Sequence, residues 1–181
     1  YFRIIQSNSD LLLRLINDIL DLSRLEANKV ILTPEDCDVV QLCRQALSSV
    51  EMSRRESGNR FVFETKTDSF VLQTDIQRLQ QVLINLLTNA AKFTKNGTIT
   101  LQFEVEKEKN RVLFAVADTG CGIPKEKQKQ VFERFEKLNE YAQGTGLGLS
   151  ICKLTVDKWG GDIWIDPDYE GGARFVVSHP L

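Results

Sequence analysis

Two asparagines and a lysine share one face of a segment whose apolar spacing is that of an amphipathic helix. Asn85 and Asn89 stand one turn apart in INLLTNAAKF, and Lys92 follows on the next turn. Asparagine is a poor helix former because its side chain competes for the backbone. An amide oxygen suits Mg²⁺, and a lysine ammonium neutralises phosphate. The stripe is therefore either a solvated helix face or one wall of a site for a magnesium-bound phosphate compound.

A second candidate site follows an apolar strand in RVLFAVADTGCGIP. Asp118 ends that strand, where a carboxylate can accept a hydrogen bond from an exocyclic amine such as that of adenine. Gly120 and Gly122 allow a sharp exit from the sheet and close approach of a planar ligand. A simple Asp-Gly turn would explain the same residues without a ligand. Cys121, between the glycines, is either a reactive thiol or a small side chain in a tight turn.

A third candidate site is the glycine-rich run GTGLG, which leads into another helical segment. Backbone N–H groups at Gly144, Gly146 and Gly148, together with the helix N-terminus, would form an anion cradle suited to nucleotide phosphates. The run is not a Walker A loop, because no Gly-Lys-Ser/Thr follows. It is not a dinucleotide fingerprint either, because no strand leads directly into it.

The fixed order of these segments resembles the ATP-binding catalytic domain of sensor histidine kinases. Residues 84–93 look like the N box of that family, 118–122 like its G1 box, 132–135 like its F box and 144–148 like its G2 box. The resemblance covers essentially the whole chain. Residues 8–29 look like the second helix of the dimerisation and phosphoacceptor hairpin.

The resemblance implies roles for individual residues. Asn89 would be the Mg²⁺ ligand, Asn85 would lie beside it, and Lys92 would contact phosphate; these three are the implied catalytic set. Asp118 would bind the adenine amine. The other residues implied to bind ATP are Phe93, Gly120, Gly122, Ile123, Phe132, Phe135, Lys137, Gly144, Thr145, Gly146, Leu147, Gly148 and Leu149.

The resemblance also implies an ATP lid between Gly122 and Gly144. Phe132 and Phe135 would anchor this lid to the body of the domain. Lys137 stands where some family members have an arginine near the γ-phosphate. A lysine keeps the charge but lacks the bidentate guanidinium group, so its role stays open.

The implied activity is that of an ATP-dependent protein-histidine kinase. Such an enzyme transfers the γ-phosphate to a histidine on an upstream helix, for relay to an aspartate of a response regulator receiver domain. Related chaperone, gyrase and mismatch-repair ATPases carry a glutamate at the place of Asn85, where it activates water. An amide cannot act as a general base, which favours a kinase over an ATPase switch. A module that binds ATP without transfer is an alternative, whereas a serine kinase of this fold would lack the helical-bundle signature of the first residues.

The phosphoacceptor is expected to lie outside this chain. The single histidine, His179, falls at the end of the last strand and carries no helix-borne His-Glu pattern. The sequence begins in the middle of a helical pattern, so we expect a truncated kinase that lacks the first helix of its hairpin. The full-length protein would form a homodimer through that hairpin.

Hydrophobic periodicity places these motifs on specific elements. Residues 3–27 predict one long helix in which Ile5, Leu12 and Ile19 repeat every seven residues, as in a coiled coil. Its apolar face is broad enough to need more than one neighbour. The other predicted helices are 38–57, 76–93 and 147–159, with one or two turns around 126–136, and the predicted strands are 29–37, 61–65, 70–73, 98–106, 111–117, 162–166 and 173–178.

The expected fold class is α+β. It is a two-layer α/β sandwich of the Bergerat ATP-binding type, with a mixed, mostly antiparallel sheet and helices on one face. One long helix from the helical hairpin would precede and project from it. The expected domains are residues 1–28, the second hairpin helix, and residues 29–181, the ATP-binding catalytic domain.

The composition excludes several other classes of protein. Lys plus Arg number 23 and Asp plus Glu 25, which gives a net charge of −2 and no general attraction to nucleic acid. The four cysteines show neither CxxC spacing nor nearby histidines and are expected to be reduced thiols. No signal peptide or apolar run of membrane-spanning length is present. The resemblance implies a cytoplasmic domain and leaves open whether the full-length protein is anchored in the inner membrane.

Overall fold

A computed structural model describes residues 2–133 and 146–181, and structural statements below concern these ranges. The helices are α1 (Phe2–Glu26), α2 (Val39–Ser53), α3 (Ile76–Phe93) and α4 (Gly148–Lys158). The strands are β1 (Glu35–Asp38), β2 (Arg60–Thr65), β3 (Val71–Thr74), β4 (Thr98–Glu106), β5 (Arg111–Asp118), β6 (Ile163–Ile165) and β7 (Arg174–Pro180). Short 3-10 turns occur at Arg55–Ser57, Lys107–Lys109 and Lys125–Lys127.

The strands form one five-stranded sheet and one small sheet. The large sheet has the order β2-β4-β5-β7-β6, in which only the β2–β4 pair is parallel. β1 and β3 pair antiparallel in a separate two-stranded sheet. Alternate residues of β4, such as Ile99, Leu101 and Phe103, are buried, as a half-covered sheet requires. The α+β prediction with a mixed, mostly antiparallel sheet is confirmed.

Aspartate side chains define where α2 and α3 begin. Asp38 accepts hydrogen bonds from the backbone N–H groups of Val40 and Gln41. Asp75 accepts one from the N–H of Arg78 at 3.1 Å, and its second oxygen accepts from the N–H of Thr33 at 3.0 Å. Each cap satisfies backbone donors that a helix start leaves unpaired. Asp75 also attaches the segment after α1 to the start of α3.

The core lies between the large sheet and the helices α2, α3 and α4. On α3, Leu79, Leu83 and Leu86 are fully buried, so its polar stripe lies on a different face. The largest fully buried side chains are Phe114, Leu79, Leu83, Leu86, Leu87, Ile99, Leu101, Leu147, Ile151, Val39, Val40 and Val50.

The long helix α1 departs from the prediction of a separate, projecting element. Its C-terminal turns dock on α4, where Leu22 and Leu25 form a buried cluster with Leu147 and Ile151. The remainder of α1 exposes a broad apolar face. The prediction missed the docking because sequence periodicity shows that a face is apolar but not which element covers it.

Two element boundaries also differ from the sequence prediction. Within residues 29–37 only the end is a strand, and the predicted helix 38–57 ends at Ser53 before a 3-10 turn. Of the helical turns expected around 126–136, the described part holds one 3-10 turn, Lys125–Lys127. No helix of the described residues is long and apolar enough to cross a membrane.

Candidate nucleotide-binding site

The polar stripe of α3 faces the beginning of α4. Asn85, Asn89 and Lys92 are all half-buried. The side-chain amide of Asn85 donates to the carbonyl of Gly148 at 3.4 Å, and a Cβ placed on Gly148 would lie 3.8 Å from the amide carbon of Asn85. Two segments 63 residues apart in sequence are thereby in contact, and these are the segments that resemble the N box and the G2 box.

The start of α4 has no side-chain cap. Leu147 occupies the N-cap position and makes no side-chain hydrogen bond that caps the helix. Gly146 has a φ of +76°, a left-handed conformation that favours glycine. Uncapped N–H donors after a glycine turn suit an anion. Gly144 and Thr145 lie outside the described residues.

Leu147 and Leu149 pack in two different hydrophobic clusters. Leu147 is fully buried and packs with Leu22, Leu25 and Ile151. Leu149 is half-buried and packs against the main core.

The turn after β5 packs tightly against the C-terminus of α3. A Cβ on Gly120 would lie 2.1 Å from the carbonyl oxygen of Phe93 and 2.7 Å from Oγ1 of Thr94, so no larger residue fits. The backbone N–H of Cys121 donates to the same Phe93 carbonyl at 3.4 Å. Gly122 has a φ of +72°. The turn that resembles the G1 box therefore packs against the C-terminal end of α3, the helix that carries Asn85 and Asn89.

Asp118 is buried at the end of β5 and is held by two backbone donors. Only 3% of its surface is exposed. Its Oδ1 accepts from the N–H of Gly120 at 3.0 Å and from that of Ala173 at 3.2 Å. Burial raises the pKa of this carboxyl, and the two backbone hydrogen bonds act in the opposite direction. Since both donors use Oδ1, Oδ2 is the oxygen left to accept from a ligand amine.

The described beginning of the predicted lid is attached to the core. The ring of Phe132 packs edge-on against that of Phe175, with centroids 6.1 Å apart. Val131 beside it is 4% exposed, and Ile123 also packs on the core. Phe135 and Lys137 lie outside the described residues.

Sequence reasoning missed three residues around Asp118. Ala173 supplies one of its donors, Tyr169 donates its hydroxyl to the Asp118 carbonyl, and Gly172 lies against the same carbonyl. The Gly171-Gly172 pair is typical of a turn between two strands, and such a pattern does not show a contact with Asp118. Only the pairing of β5 with β7 brings the two segments together.

His179 is a structural residue. It is 5% exposed, its ring lies 4.9 Å from that of Trp159, and its Nδ1 lies 2.7 Å from the carbonyl oxygen of Pro180. Burial lowers the pKa of this imidazole. A buried ring of this kind is not presented to a bound nucleotide.

The cysteines are free thiols in two different environments. Cys37, Cys43 and Cys152 are buried, and burial raises the pKa of Cys43 and of Cys152 to about 12. Cys121 is exposed. Within the described ranges no three His, Cys, Asp or Glu side chains are grouped to hold a metal ion.

Comparison with known proteins agrees with this geometry. The family model described as "Histidine kinase-, DNA gyrase B-, and HSP90-like ATPase" matches residues 74–181, which is more than half of the chain. The chain belongs to this ATPase family. The catalytic domain of histidine kinase ThkA is 33% identical and is covered over 95% of its length, so the chain is a histidine kinase catalytic domain.

Three relatives illustrate the similarity. The circadian input-output histidine kinase CikA of Synechococcus elongatus is 38% identical over 99% of this chain and 24% of its own length. The structure of full-length ShkA in complex with AMPPNP has a TM-score of 0.89 at 30% identity, over 98% of this chain and 37% of that one.

Histidine kinase ThkA is the third relative. Its catalytic domain has a TM-score of 0.74 at 33% identity, over 82% of this chain and 95% of that one. ThkA in complex with the response regulator protein TrrA has a TM-score of 0.79 at 30% identity, over 99% of this chain and 50% of that one. The chain spans less than half the length of the curated relatives it matches.

Proposed function

We propose that this domain binds Mg-ATP between α3, the turn after β5 and the start of α4, and delivers the γ-phosphate to a histidine of another segment. The observation that carries the proposal is the contact between Asn85 and Gly148. This contact brings the polar stripe of α3, a helix without any acidic residue, against the start of α4, which has no side-chain cap. This arrangement offers positioning and charge neutralisation, which phosphoryl transfer requires.

The adenine end of the site is assigned to Asp118. Oδ2 would accept a hydrogen bond from the exocyclic amine, while the donors on Oδ1 keep the carboxylate oriented. Phe93, Gly120, Gly122 and Ile123 would shape this end of the pocket. The AMPPNP complex of ShkA supports binding of an adenine nucleotide in a domain of this fold.

The phosphate end is assigned to the stripe and the glycine loop. Lys92 would contact phosphate, and N–H groups from residues 144–149 would surround the phosphate oxygens. Phe132, which packs on Phe175, would fix one end of the lid. Phe135 and Lys137 keep their predicted roles in the lid and near the γ-phosphate.

The residues present suit Mg²⁺ held mainly by the nucleotide. The described residues contain no cluster of carboxylates, and Asn89 offers one half-buried amide oxygen. Mg²⁺ prefers oxygen ligands and commonly uses few protein groups together with phosphates and water. When bound, it would neutralise charge on the phosphates, and Asn89 would hold it while Asn85 fixes α4 beside it.

The chain's own residues favour transfer to a protein over hydrolysis. Neither Asn85 nor Asn89 can remove a proton from water, and α3 contains no Asp or Glu. A histidine nitrogen needs no such base. It would attack the γ-phosphorus as the bond to the β–γ bridging oxygen breaks, and ADP would leave. An ATPase switch is disfavoured for this reason, and the competing function is a module that binds ATP without transfer.

The partners of the domain follow from the surfaces around it. Residues 1–28 would form the second helix of a dimerisation hairpin, and residues 29–181 the catalytic domain. The exposed apolar face of α1 supports a homodimer formed through a helical hairpin. The complex of ThkA with TrrA supports a response regulator receiver domain as the next phosphate acceptor.

Transfer in trans tests this proposal directly. The chain is mixed with a longer version of the protein that contains the upstream histidine and carries Asp118→Ala in its own site. Labelled Mg-ATP is added, and acid-labile, base-stable phosphate is measured on the longer protein. We expect phosphate there with the wild-type chain and its loss with an Asn89→Ala chain. If no phosphate appears although calorimetry verifies ATP binding, the proposal of transfer is wrong. The domain would then be a module that binds ATP without transfer.

A further inference from the structure

The connection between β6 and β7 is rigidly attached at its two ends. The carboxylate of Asp166 pairs with the guanidinium of Arg174 at 2.9 Å, and both side chains are only a quarter exposed. Asp166 also accepts the N–H of Asp168 at 3.0 Å, and its own N–H donates to the Arg174 carbonyl at 2.8 Å. Residues 167–173 are thereby held beside the end of β5.

At that point the hydrogen-bond ladder between β5 and β7 changes its partners. The last regular pair is Ala117 with Arg174, and the N–H of Asp118 still donates to the carbonyl of Ala173 at 2.9 Å. In a continued antiparallel pair, the N–H of Ala173 would donate to the Asp118 carbonyl. It donates to the Asp118 side chain instead, and the hydroxyl of Tyr169 donates to that carbonyl at 3.1 Å.

The peptide that follows Asp118 is therefore held at both ends. The hydroxyl of Tyr169 donates to the carbonyl oxygen of this peptide, which belongs to Asp118. The N–H of the same peptide belongs to Thr119 and donates to the carbonyl of Thr98 at 3.2 Å. This peptide leads directly to Gly120, whose N–H binds Oδ1. A Cβ on Gly172 would lie 1.9 Å from the Asp118 carbonyl oxygen, so glycine is required for Tyr169 to reach it.

The hydroxyl of Tyr169, and not ring packing, makes this contact. The half-buried ring borders a cavity of about 210 Å³ that Ile123 and Gln128 also line. Burial and the charge of Asp118 raise the pKa of Tyr169 above its ordinary value of 10, so the phenol remains a donor at neutral pH. Replacement by Phe would remove the hydrogen bond and keep the ring.

We propose that Tyr169 is a positioning residue for recognition of the purine 6-amino group. Its hydroxyl fixes the peptide after Asp118, and that peptide sets the direction in which Oδ2 of Asp118 faces the ligand. The inference rests on the proposed role of Asp118 in binding adenine. It extends the nucleotide site to the β6–β7 connection, which contains none of the four sequence boxes.

Tyr169→Phe tests this role with two nucleotides. The dissociation constants of Mg-ATP and of the triphosphate of purine riboside, which lacks the amine, are measured on the full chain. Loss of one neutral hydrogen bond should weaken ATP binding about three- to tenfold, and affinity for the amine-free nucleotide should stay within about twofold. The matched control is Trp159→Phe, which removes one hydrogen bond from the ring N–H to the Ser178 carbonyl. It should leave unchanged the ratio of the two dissociation constants, which we call the affinity ratio.

The same measurement in an Asp118→Ala background completes the test. Tyr169→Phe should have no further effect on the affinity ratio there, because the group that it positions is gone. Equal weakening of both nucleotides by Tyr169→Phe would overturn the positioning role. If Asp118→Ala leaves the wild-type ratio intact, the assignment of Asp118 to adenine is itself wrong, whatever Tyr169 does.

Discussion

At the scale of single residues, two titratable groups are almost equally buried but have different surroundings. Asp118 lies at the turn after β5 and accepts two backbone N–H groups, whereas the ring of His179 packs against that of Trp159. Burial raises the pKa of Asp118 and lowers that of His179, because in each case it disfavours the charged form. The two residues therefore affect stability in opposite pH directions.

His179 should make the fold less stable in mild acid. Its folded pKa lies below the ordinary 6.5, so under about pH 6.5 the unfolded chain binds the proton more readily. The contribution to stability is complete above 6.5 and is lost as pH falls toward the folded value. We expect the free energy of unfolding in urea to fall between about pH 7 and 5.5 in wild type, and less steeply in His179→Phe. Equal slopes in the two proteins would contradict a neutral buried imidazole.

Residue spacing predicted part of this site and could not predict the rest. Asn85, Asp118 and Gly120 lie in short motifs whose residue types and spacing predict nucleotide binding. Tyr169 and Gly172 lie in a loop that signals only a turn. Their contact with Asp118 depends on the register of β7 against β5, and register is a property of strand pairing, which no local pattern contains.

At the scale of elements, periodicity located the helices and strands but not the contacts between them. The predicted helix 76–93 and strand 98–106 match α3 and β4 at both ends. The docking of α1 on α4 was not predicted, although it joins α1 to the helix that begins at the glycine loop. Nη1 of Arg78 donates to both carboxylate oxygens of Asp21, at 2.8 and 2.9 Å, and so connects α3 to α1 as well.

Removing one side chain from this docking contact should release α1 without unfolding the sheet. Leu25 is 5% exposed in the cluster with Leu147, and Leu25→Ala would cost about 2–5 kcal/mol of local stability. We expect faster amide hydrogen exchange in α1 and unchanged protection in β4 and β5. The control Arg14→Ala, at an exposed position of α1 outside its apolar face, should change neither. Loss of protection in β5 as well would mean that α1 and the sheet unfold as one unit.

At the scale of the whole molecule, the undocked part of α1 is a surface that needs a partner. Ile5, Leu12 and Ile19 repeat every seven residues and remain 64%, 57% and 42% exposed. The other exposed large hydrophobic side chains of this helix are Phe2, Ile4, Leu11, Leu13, Ile16 and Leu20. Contiguous apolar surface of this kind marks an interaction site. The heptad spacing indicates another helix as the partner.

Self-association of the chain should therefore depend on this seam. For the wild-type chain, we expect the mass measured by light scattering to rise with protein concentration. For Leu12→Lys combined with Ile19→Lys, the mass should stay at the monomer value, because two buried charges would oppose helix pairing. Gln6→Lys combined with Asn17→Lys adds the same charge on the polar face and should still associate. A wild-type chain that remains monomeric while α1 is fully protected from hydrogen exchange would show that α4 alone stabilises the helix. The dimer would then require a further helix beside the seam, because the exposed seam by itself would be insufficient to hold two copies together.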